Sequence, residues 1–207
     1  MILHDLCNQT ITRKQRLIKR VFDLFLAIPI LFILIIPMII FILFSTISTG
    51  SFGLFRQERI GRYGKTFKIL KIRSMRSNDV NYSPISVFNR EYITPFGRFL
   101  RKFNIDEWPQ VINVVLGDMS MVGPRPDVSG YADLLEGENR RVLCVKPGIT
   151  GPATIDFRNE EQLLIKQDNP KEYNDQVIWP KKVELNKRYI ENWSIRMDIK
   201  YLFKTLK

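Results

Sequence analysis

Histidine and cysteine are scarce in this chain, and their scarcity removes several kinds of chemistry at once. The single histidine, His4, stands in an N-terminal stretch expected to be frayed, and no role falls to it. Cys7 and Cys144 are far apart, with no CxxC spacing and no histidine cluster. That argues against zinc, gives little support for a disulfide framework and fits reducing cytosolic exposure. No internal repeat, low-complexity tract or flexible linker is present, so 207 residues read as one catalytic domain with an appendage. Charge is also missing locally, with none between Asp23 and Arg56.

That uncharged stretch is the first positive signal. From Leu24 to Phe44 every residue is apolar or proline, enough for a helix to cross a hydrocarbon core of roughly 30 Å. The run is longer than the core of a signal peptide and no small-residue cleavage site follows it. A buried helix of a soluble protein seldom stays uncharged for so long. Arg13, Lys14, Arg16, Lys19 and Arg20 precede the run, while Arg56, Arg59, Arg62 and Lys65 follow it. The positive-inside rule therefore draws both ends to the cytoplasm. With Pro37 near the middle and Pro29 earlier, a re-entrant helix-break-helix with its break at Pro37 is favoured over a kinked single span. The expected division is a membrane segment over 1–50 and a catalytic domain over 51–207, α+β in class and mostly helical.

Net charge is +11, from 32 Lys and Arg against 21 Asp and Glu, so an anionic partner is expected. The basic residues are spread along the chain and form no recognised nucleic-acid module, which leaves acidic lipid or a phosphorylated substrate. At the C-terminus, Ile195, Ile199, Leu202, Phe203 and Leu206 recur at helical spacing beside Arg196, Lys200 and Lys204. Such a helix either lies on an anionic membrane surface or packs on the domain with a solvated basic face.

The stretch FNIDEWPQVINVVLGDMSMVGPRPD holds the most chemistry. Asp106 and Glu107 precede a short apolar helix and a Gly-Pro-Arg-Pro turn that carries Arg125. Carboxylates facing a guanidinium suit phosphoryl transfer, in which an anion attacks, a cation holds charge and a divalent metal bridges them. Acids in a first helical turn also have a purely structural reading through the helix terminus. Leu54 to Ile60 and Thr66 to Ile72 read as strands of a hairpin closed by Gly61-Arg62-Tyr63-Gly64-Lys65. In FKILKIRSM, alternation puts Lys71 and Arg73 on one face, able to meet a phosphate or to protect a strand edge. A helix is expected from about Arg98 to Asn104, with Asn104 capping a second that starts at the acidic pair and runs to about Leu116. Asn78 to Pro84 and the Lys146-Pro-Gly-Ile-Thr-Gly-Pro stretch are expected as loops, Glu160 to Ile165 as a helix, and Trp179-Pro180 as the start of another ending near Asn192.

In order along the chain, KRVFDLFLA, the proline-bearing apolar run, FRQERIGRYGKTFKILKIRSM, the acidic pair, GDMSMVGPRP, KPGITG and VELNKRYI resemble the bacterial sugar transferase family, the monotopic phosphoglycosyl transferases. The resemblance covers nearly everything from Lys19 onward. It implies transfer of a sugar-1-phosphate from a UDP-sugar to undecaprenyl phosphate with release of UMP, at the cytoplasmic face of a bacterial inner membrane. This is the opening step of capsule, O-antigen, exopolysaccharide or glycoprotein-glycan assembly. By the same resemblance Asp106 would be the nucleophile and a Mg²⁺ ligand, and Glu107 a proton acceptor or positioning group. Lys71, Arg125, Arg73 and Arg158 would hold phosphate oxygens, with membrane lipids and downstream glycosyltransferases as further partners. Three positions depart from the family pattern. Ile36 precedes Pro37 where relatives often have serine, Pro152-Ala153-Thr154 stands in place of Trp-Ala-Gln, and Asn186 stands where aspartate is common. The competing reading is an idle, membrane-anchored basic binding protein.

Overall fold

The computed structural model describes residues 3–76 and 91–205, so the expected loop from Asn78 to Pro84 lies outside the described residues. Helix α1 (Leu3–Thr10) leads into α2 (Arg13–Thr49), whose first turn is closed by a capping box. Thr12 Oγ1 accepts from the Gln15 amide at 3.2 Å and Gln15 Oε1 accepts from the Thr12 amide at 2.9 Å. At 37 residues, α2 is long and apolar enough to cross a membrane.

One stripe of α2 is buried along its whole length. Lys19, Asp23, Ala27, Met38, Ser45 and Thr49 are buried, and Ile30, Leu31, Leu34, Phe41 and Ile42 fill the spaces between them at intervals of three and four. The opposite side exposes Phe25, Phe32, Ile33, Ile36, Ile39, Leu43, Phe44 and Ile47. Such a continuous apolar face rules out the core helix of a soluble fold.

Both ends of α2 are held by the same body of protein. Near its start, Lys19 Nζ meets Asp198 Oδ2 at 2.7 Å, and Asp23 Oδ1 accepts from Ser120 Oγ at 2.9 Å and the Met121 amide at 3.0 Å. Near its end, Ser45 Oγ donates to the Arg73 carbonyl, Ser48 Oγ donates to Thr94 Oγ1 at 2.9 Å, and the Gly53 amide donates to Thr46 Oγ1 at 2.8 Å. The break expected at Pro37 is not found: α2 is helical through both prolines. Proline removes one ladder hydrogen bond, to the carbonyl of Ile33, and packing of Met38, Phe41 and Ile42 just beyond it holds the helix.

Strands β1 (Leu54–Ile60) and β2 (Thr66–Ile72) form the expected antiparallel hairpin, with Leu54 opposite Ile72 and Ile60 opposite Thr66. Helix α3 (Pro95–Lys102) starts three residues before the expected position, because Thr94 caps it by accepting from the Gly97 amide at 2.9 Å and Pro95 suits the first turn. The acidic pair does not open the next helix. It occupies a tight turn, Ile105–Glu107, separated by Pro109 from α4 (Gln110–Leu116). Asn104 makes no side-chain cap; it adopts left-handed backbone, φ 53°, and redirects the chain.

After β3 (Ser120–Val122) and the Gly137–Cys144 turn comes β4 (Gly148–Thr150), so part of the expected KPGITG loop is a strand. β4 pairs parallel with β3 and seats the KPGITG stretch against the Gly-Pro-Arg-Pro turn. Only glycine allows that approach: a Cβ on Gly148 would lie 2.1 Å from the Gly123 nitrogen. Short helices α5 (Pro152–Asp156), α6 (Glu160–Ile165) and α7 (Pro170–Tyr173) follow, then a π turn (Asn174–Ile178), α8 (Trp179–Glu191) and α9 (Ile195–Thr205). The result is mostly helical with two small two-stranded sheets among the described residues.

The main core joins Ala27 of α2 to Ile69, Val111, Val114, Val122, Tyr189 and Ile190. Each such aliphatic side chain stabilises by about 1.5–3 kcal/mol. In α9, Ile195 and Leu202 pack on this core while Ile199 and Phe203 stay exposed beside Arg196 and Lys200. Contrary to expectation, the cysteines are joined: Cys7 and Cys144 form a disulfide, Cα to Cα 4.9 Å, because α1 packs on the Gly137–Cys144 turn. A separation of 137 residues along the chain carries no information about that contact.

Asp198 is wholly buried and accepts from Lys19, from Tyr189 Oη at 2.6 Å and from Trp193 Nε1 at 3.2 Å. Asp198→Ala leaves all three donors unmet, so it is expected to cost about 3–5 kcal/mol, more than Lys19→Met, which leaves two of the three bonds in place. Equilibrium unfolding in detergent checks this, and equal losses in the two variants would contradict it.

Candidate active site

Three local features converge on Glu107. Hairpin register puts Lys71 next to the end of β2, the left-handed Asn104 turns the acidic pair inward, and the turn after β3 brings in Arg125. Glu107 Oε1 receives Lys71 Nζ at 3.3 Å and Arg125 Nη2 more closely, while Oε2 receives Arg125 Nη1 at 3.2 Å. This is a two-pronged guanidinium–carboxylate contact with a second cation on one of its oxygens. The Glu107 side chain is 15% exposed and that of Arg125 43%, so the guanidinium stands at the mouth.

Electrostatics follow from this packing. Burial acts to raise the Glu107 carboxyl, but Arg125 and Lys71 outweigh it and hold the group well below the usual carboxylate range. Arg125 is in turn held above its ordinary value, chiefly by Glu107. Lys71 is pushed down, first by burial, with Glu107 opposing and Arg125 reinforcing.

Asp106 is the opposite case. It is buried, and burial and then the Glu107 charge raise its carboxyl, with Lys71, Arg101 and Arg125 offsetting part of the shift. Among the described residues no hydrogen-bond donor sits on its carboxylate. Adjacent acids with environments pulling in opposite directions mark a division of roles. The Asp106 oxygens are engaged by no donor among the described residues, as a nucleophile or a cation ligand requires. No cluster of three or more His, Cys, Asp or Glu side chains exists among the described residues. Mg²⁺ typically takes one or two carboxylates together with water and substrate phosphate, so a single open carboxylate fits it.

Four further charged residues adjoin the site without having been singled out for it in the sequence. Arg59 Nη1 donates to the Pro126 carbonyl at 3.4 Å and Nη2 to Gln57 Oε1 at 2.6 Å. Asp127 is pushed up to about 6 by burial, against the opposing charges of Lys182, Arg59 and Arg125. Lys182 Nζ contacts both Glu160 oxygens at 2.7 Å. The available signal was Asp127 directly after Gly-Pro-Arg-Pro; Glu160 and Lys182 reach the site only through the packing of α6 and α8.

Arg73 and Arg158 are directed elsewhere. Arg73 Nε donates to the Phe52 carbonyl at 2.9 Å with its guanidinium 5.2 Å from the Phe55 ring, bracing the exit of α2. Arg158 Nη2 donates to the Lys204 and Thr205 carbonyls at 3.1 and 3.3 Å, at the end of α9. Two of the positions that depart from the family pattern carry buried oxygens with no partner, Thr154 Oγ1 and Asn186 Oδ1.

A carboxylate held by a lysine and a guanidinium thus stands in a chain whose longest helix carries an exposed apolar face. The chain belongs to the bacterial sugar transferase family, whose sequence model matches residues 14–207. It is 41% identical over 115 residues to the "Uncharacterized sugar transferase EpsL" of Bacillus subtilis strain 168, covering 56% of this chain and 49% of that protein. It is 42% identical over 123 residues to the "UDP-glucose:undecaprenyl-phosphate glucose-1-phosphate transferase" of Escherichia coli K12, covering 57% and 24%. To the "Undecaprenyl-phosphate galactose phosphotransferase" of Salmonella typhimurium it is 38% identical over 119 residues, covering 58% and 22%. The matched region thus spans less than half the length of each of these relatives.

Because the folded state binds the Asp127 proton more tightly than the unfolded chain does, this group's contribution to stability falls as pH rises from 3.8 through about 6. Asp127→Asn is therefore expected to gain on the wild type by roughly 1–3 kcal/mol between pH 4 and pH 7.5. Paired unfolding curves at the two pH values measure the gain, and a difference that does not change with pH would refute the burial argument.

Proposed function

We propose that this protein transfers a sugar-1-phosphate from a UDP-sugar to undecaprenyl phosphate and releases UMP. One observation carries the reading: Glu107 clasps Arg125 and Lys71, while its neighbour Asp106 is desolvated and has no donor on it among the described residues. The printed names of the Escherichia coli and Salmonella relatives supply the donor and acceptor classes.

In the first step an Asp106 oxygen attacks the β-phosphorus of the UDP-sugar. The bond from that phosphorus to the bridging oxygen breaks, and UMP leaves with the oxygen. Arg125 and Lys71 hold the non-bridging oxygens as charge develops. In the second step an oxygen of the prenyl phosphate attacks the aspartyl phosphosugar, the Asp106 carboxylate departs, and a pyrophosphate joins lipid to sugar. Glu107, ionised and already shared between two cations, is a positioning residue rather than a proton acceptor. Asp106 is the residue that would hold a Mg²⁺, whose charge would offset repulsion between the anionic reactants.

The grip of one body of protein on both ends of an unbroken α2 supports keeping both ends on one side of a membrane. Together with the flanking cations, this supports the cytoplasmic face of a bacterial inner membrane as the location of the site.

Asp106→Asn is expected to lower UMP release by a factor of roughly 10³ or more, and Glu107→Gln by roughly 10²–10³. The assay uses the detergent-purified chain with undecaprenyl phosphate, Mg²⁺ and a panel of UDP-sugars. Intact-mass measurement after mixing with the productive donor should show a sugar-phosphate adduct in the wild type and none in Asp106→Asn. Sustained turnover by Asp106→Asn would eliminate the covalent route.

A further inference from the structure

Away from the carboxylate pair, at the other end of α4, Arg20 and Lys146 meet over Gly117, and Arg62 is near enough to act on Lys146 electrostatically, with no ion pair among them in the described residues. Arg20 comes from α2, Arg62 from the hairpin turn and Lys146 from the approach to β4. A Cβ built on Gly117, which closes α4 with φ 99°, would lie 3.3 Å from Lys146 Nζ and 3.4 Å from Arg20 Nη2. Arg20 uses two of its N–H groups to cap α4, donating to the Val114 and Val115 carbonyls at 2.5 and 2.9 Å. Its remaining donors are uncommitted. The Arg62 guanidinium lies 4.8 Å from the Tyr63 ring. Among the described residues, none of the three makes an ion pair.

Like charges repel, and Arg20, which shares the Gly117 corner with Lys146, is among the groups that bear on its ammonium. Burial first, and then Arg20 and Arg62, push its ammonium below the ordinary value, with Asp23 and Asp118 opposing only in part. An anion placed among the three would relieve that repulsion.

The surroundings indicate which anion. Arg20 lies four residues before Leu24, where the apolar run of α2 begins. On either side are exposed apolar side chains, Leu17 (65%) and Val21 (61%) on α2 and Leu116 (70%) beside Gly117. A soluble phosphate has no use for these, whereas a lipid phosphate brings acyl chains that cover them. The seven residues of α4 separate this point from the proposed catalytic pair by about 10 Å.

We propose that Arg20, Arg62 and Lys146 form a headgroup site for an anionic phospholipid of the surrounding membrane, its phosphate among the three cations and its chains along the exposed side of α2. This rests on α2 being membrane-embedded and is independent of the reaction at Asp106.

Native mass spectrometry of the full chain in neutral detergent, titrated with phosphatidylglycerol or phosphatidylcholine, tests the site without reference to activity. The wild type should retain phosphatidylglycerol preferentially. Arg62→Gln with Lys146→Gln, which spares the Arg20 cap on α4, should weaken that retention roughly 30-fold at low salt. Lys171→Gln with Lys181→Gln, two exposed lysines elsewhere, should leave it unchanged. Should the double variant fail to fold, each single substitution is expected to cost roughly fivefold. Equal retention of the two lipids by the wild type, or an unchanged preference in the cation variants, overturns the proposal. So does displacement of the lipid by glycerol phosphate at matching concentration, which would make the site one for soluble anions.

Discussion

A buried charge pair, Lys19 with Asp198, fixes the relation between the apolar helix and the rest of the protein. Asp198 alone collects three donors from α2, α8 and the α8–α9 connection, and it does so at full burial. Buried pairs of this kind add little net stability but penalise every arrangement in which one partner is unmet. They therefore specify position more than they strengthen the fold. Asp23, one turn along, repeats the device by holding β3 through Ser120 and Met121. With β3 comes the Gly-Pro-Arg-Pro turn, so the placement of Arg125 depends on anchors sited on the membrane helix.

The acidic pair shows how two neighbouring residues of similar chemistry acquire different behaviour. Glu107 faces Arg125 and Lys71 and remains ionised; Asp106, one residue away on a tight turn, faces burial and Glu107's own charge. Had both belonged to one regular helix, they would stand roughly 100° apart on its surface and share more of the same solvent. The tight turn between Asn104 and Pro109 makes the separation sharper. The proposed chemistry needs it, since a nucleophile already saturated by donors would be a poor one.

What was legible in the sequence, and what was not, follows physical lines. The hairpin was readable to the residue because alternation and a Gly-rich turn are local signals, and the two helix bounds flanked by Trp179-Pro180 and by Glu160 were readable for similar reasons. β3 and β4 were not, since three residues are too few to show a period and their pairing is parallel and non-local. Lys19 was counted among the cations flanking the apolar run, but it is a buried anchor, because burial of a lysine depends on a partner far along the chain. The acidic pair and Arg125 were singled out from the residues themselves, with their individual roles implied by the resemblance, and the structure brings Arg125 and Lys71 onto Glu107. Arg73 and Arg158 share the same residue types yet serve backbone carbonyls elsewhere, a choice that only packing makes.

The exposed surface of α2 does not end with the helix. Phe41 and Phe44 contact Phe96, which stacks 6.1 Å from Phe99, and Phe99 lies 5.2 Å from Phe103. Phe44, Phe99 and Phe103 are exposed, so an aromatic ridge carries the apolar face from α2 onto α3 and stops one residue before Asn104. The turn that carries Asp106 and Glu107 begins there. The ridge is phenylalanine throughout, so it prolongs the exposed apolar surface without supplying the Trp or Tyr side chains that mark an interfacial belt. The position of the acidic turn is thus governed by two independent features of the same chain: polar anchors that fix α2 against the rest of the protein, and an apolar edge that joins α2 to α3.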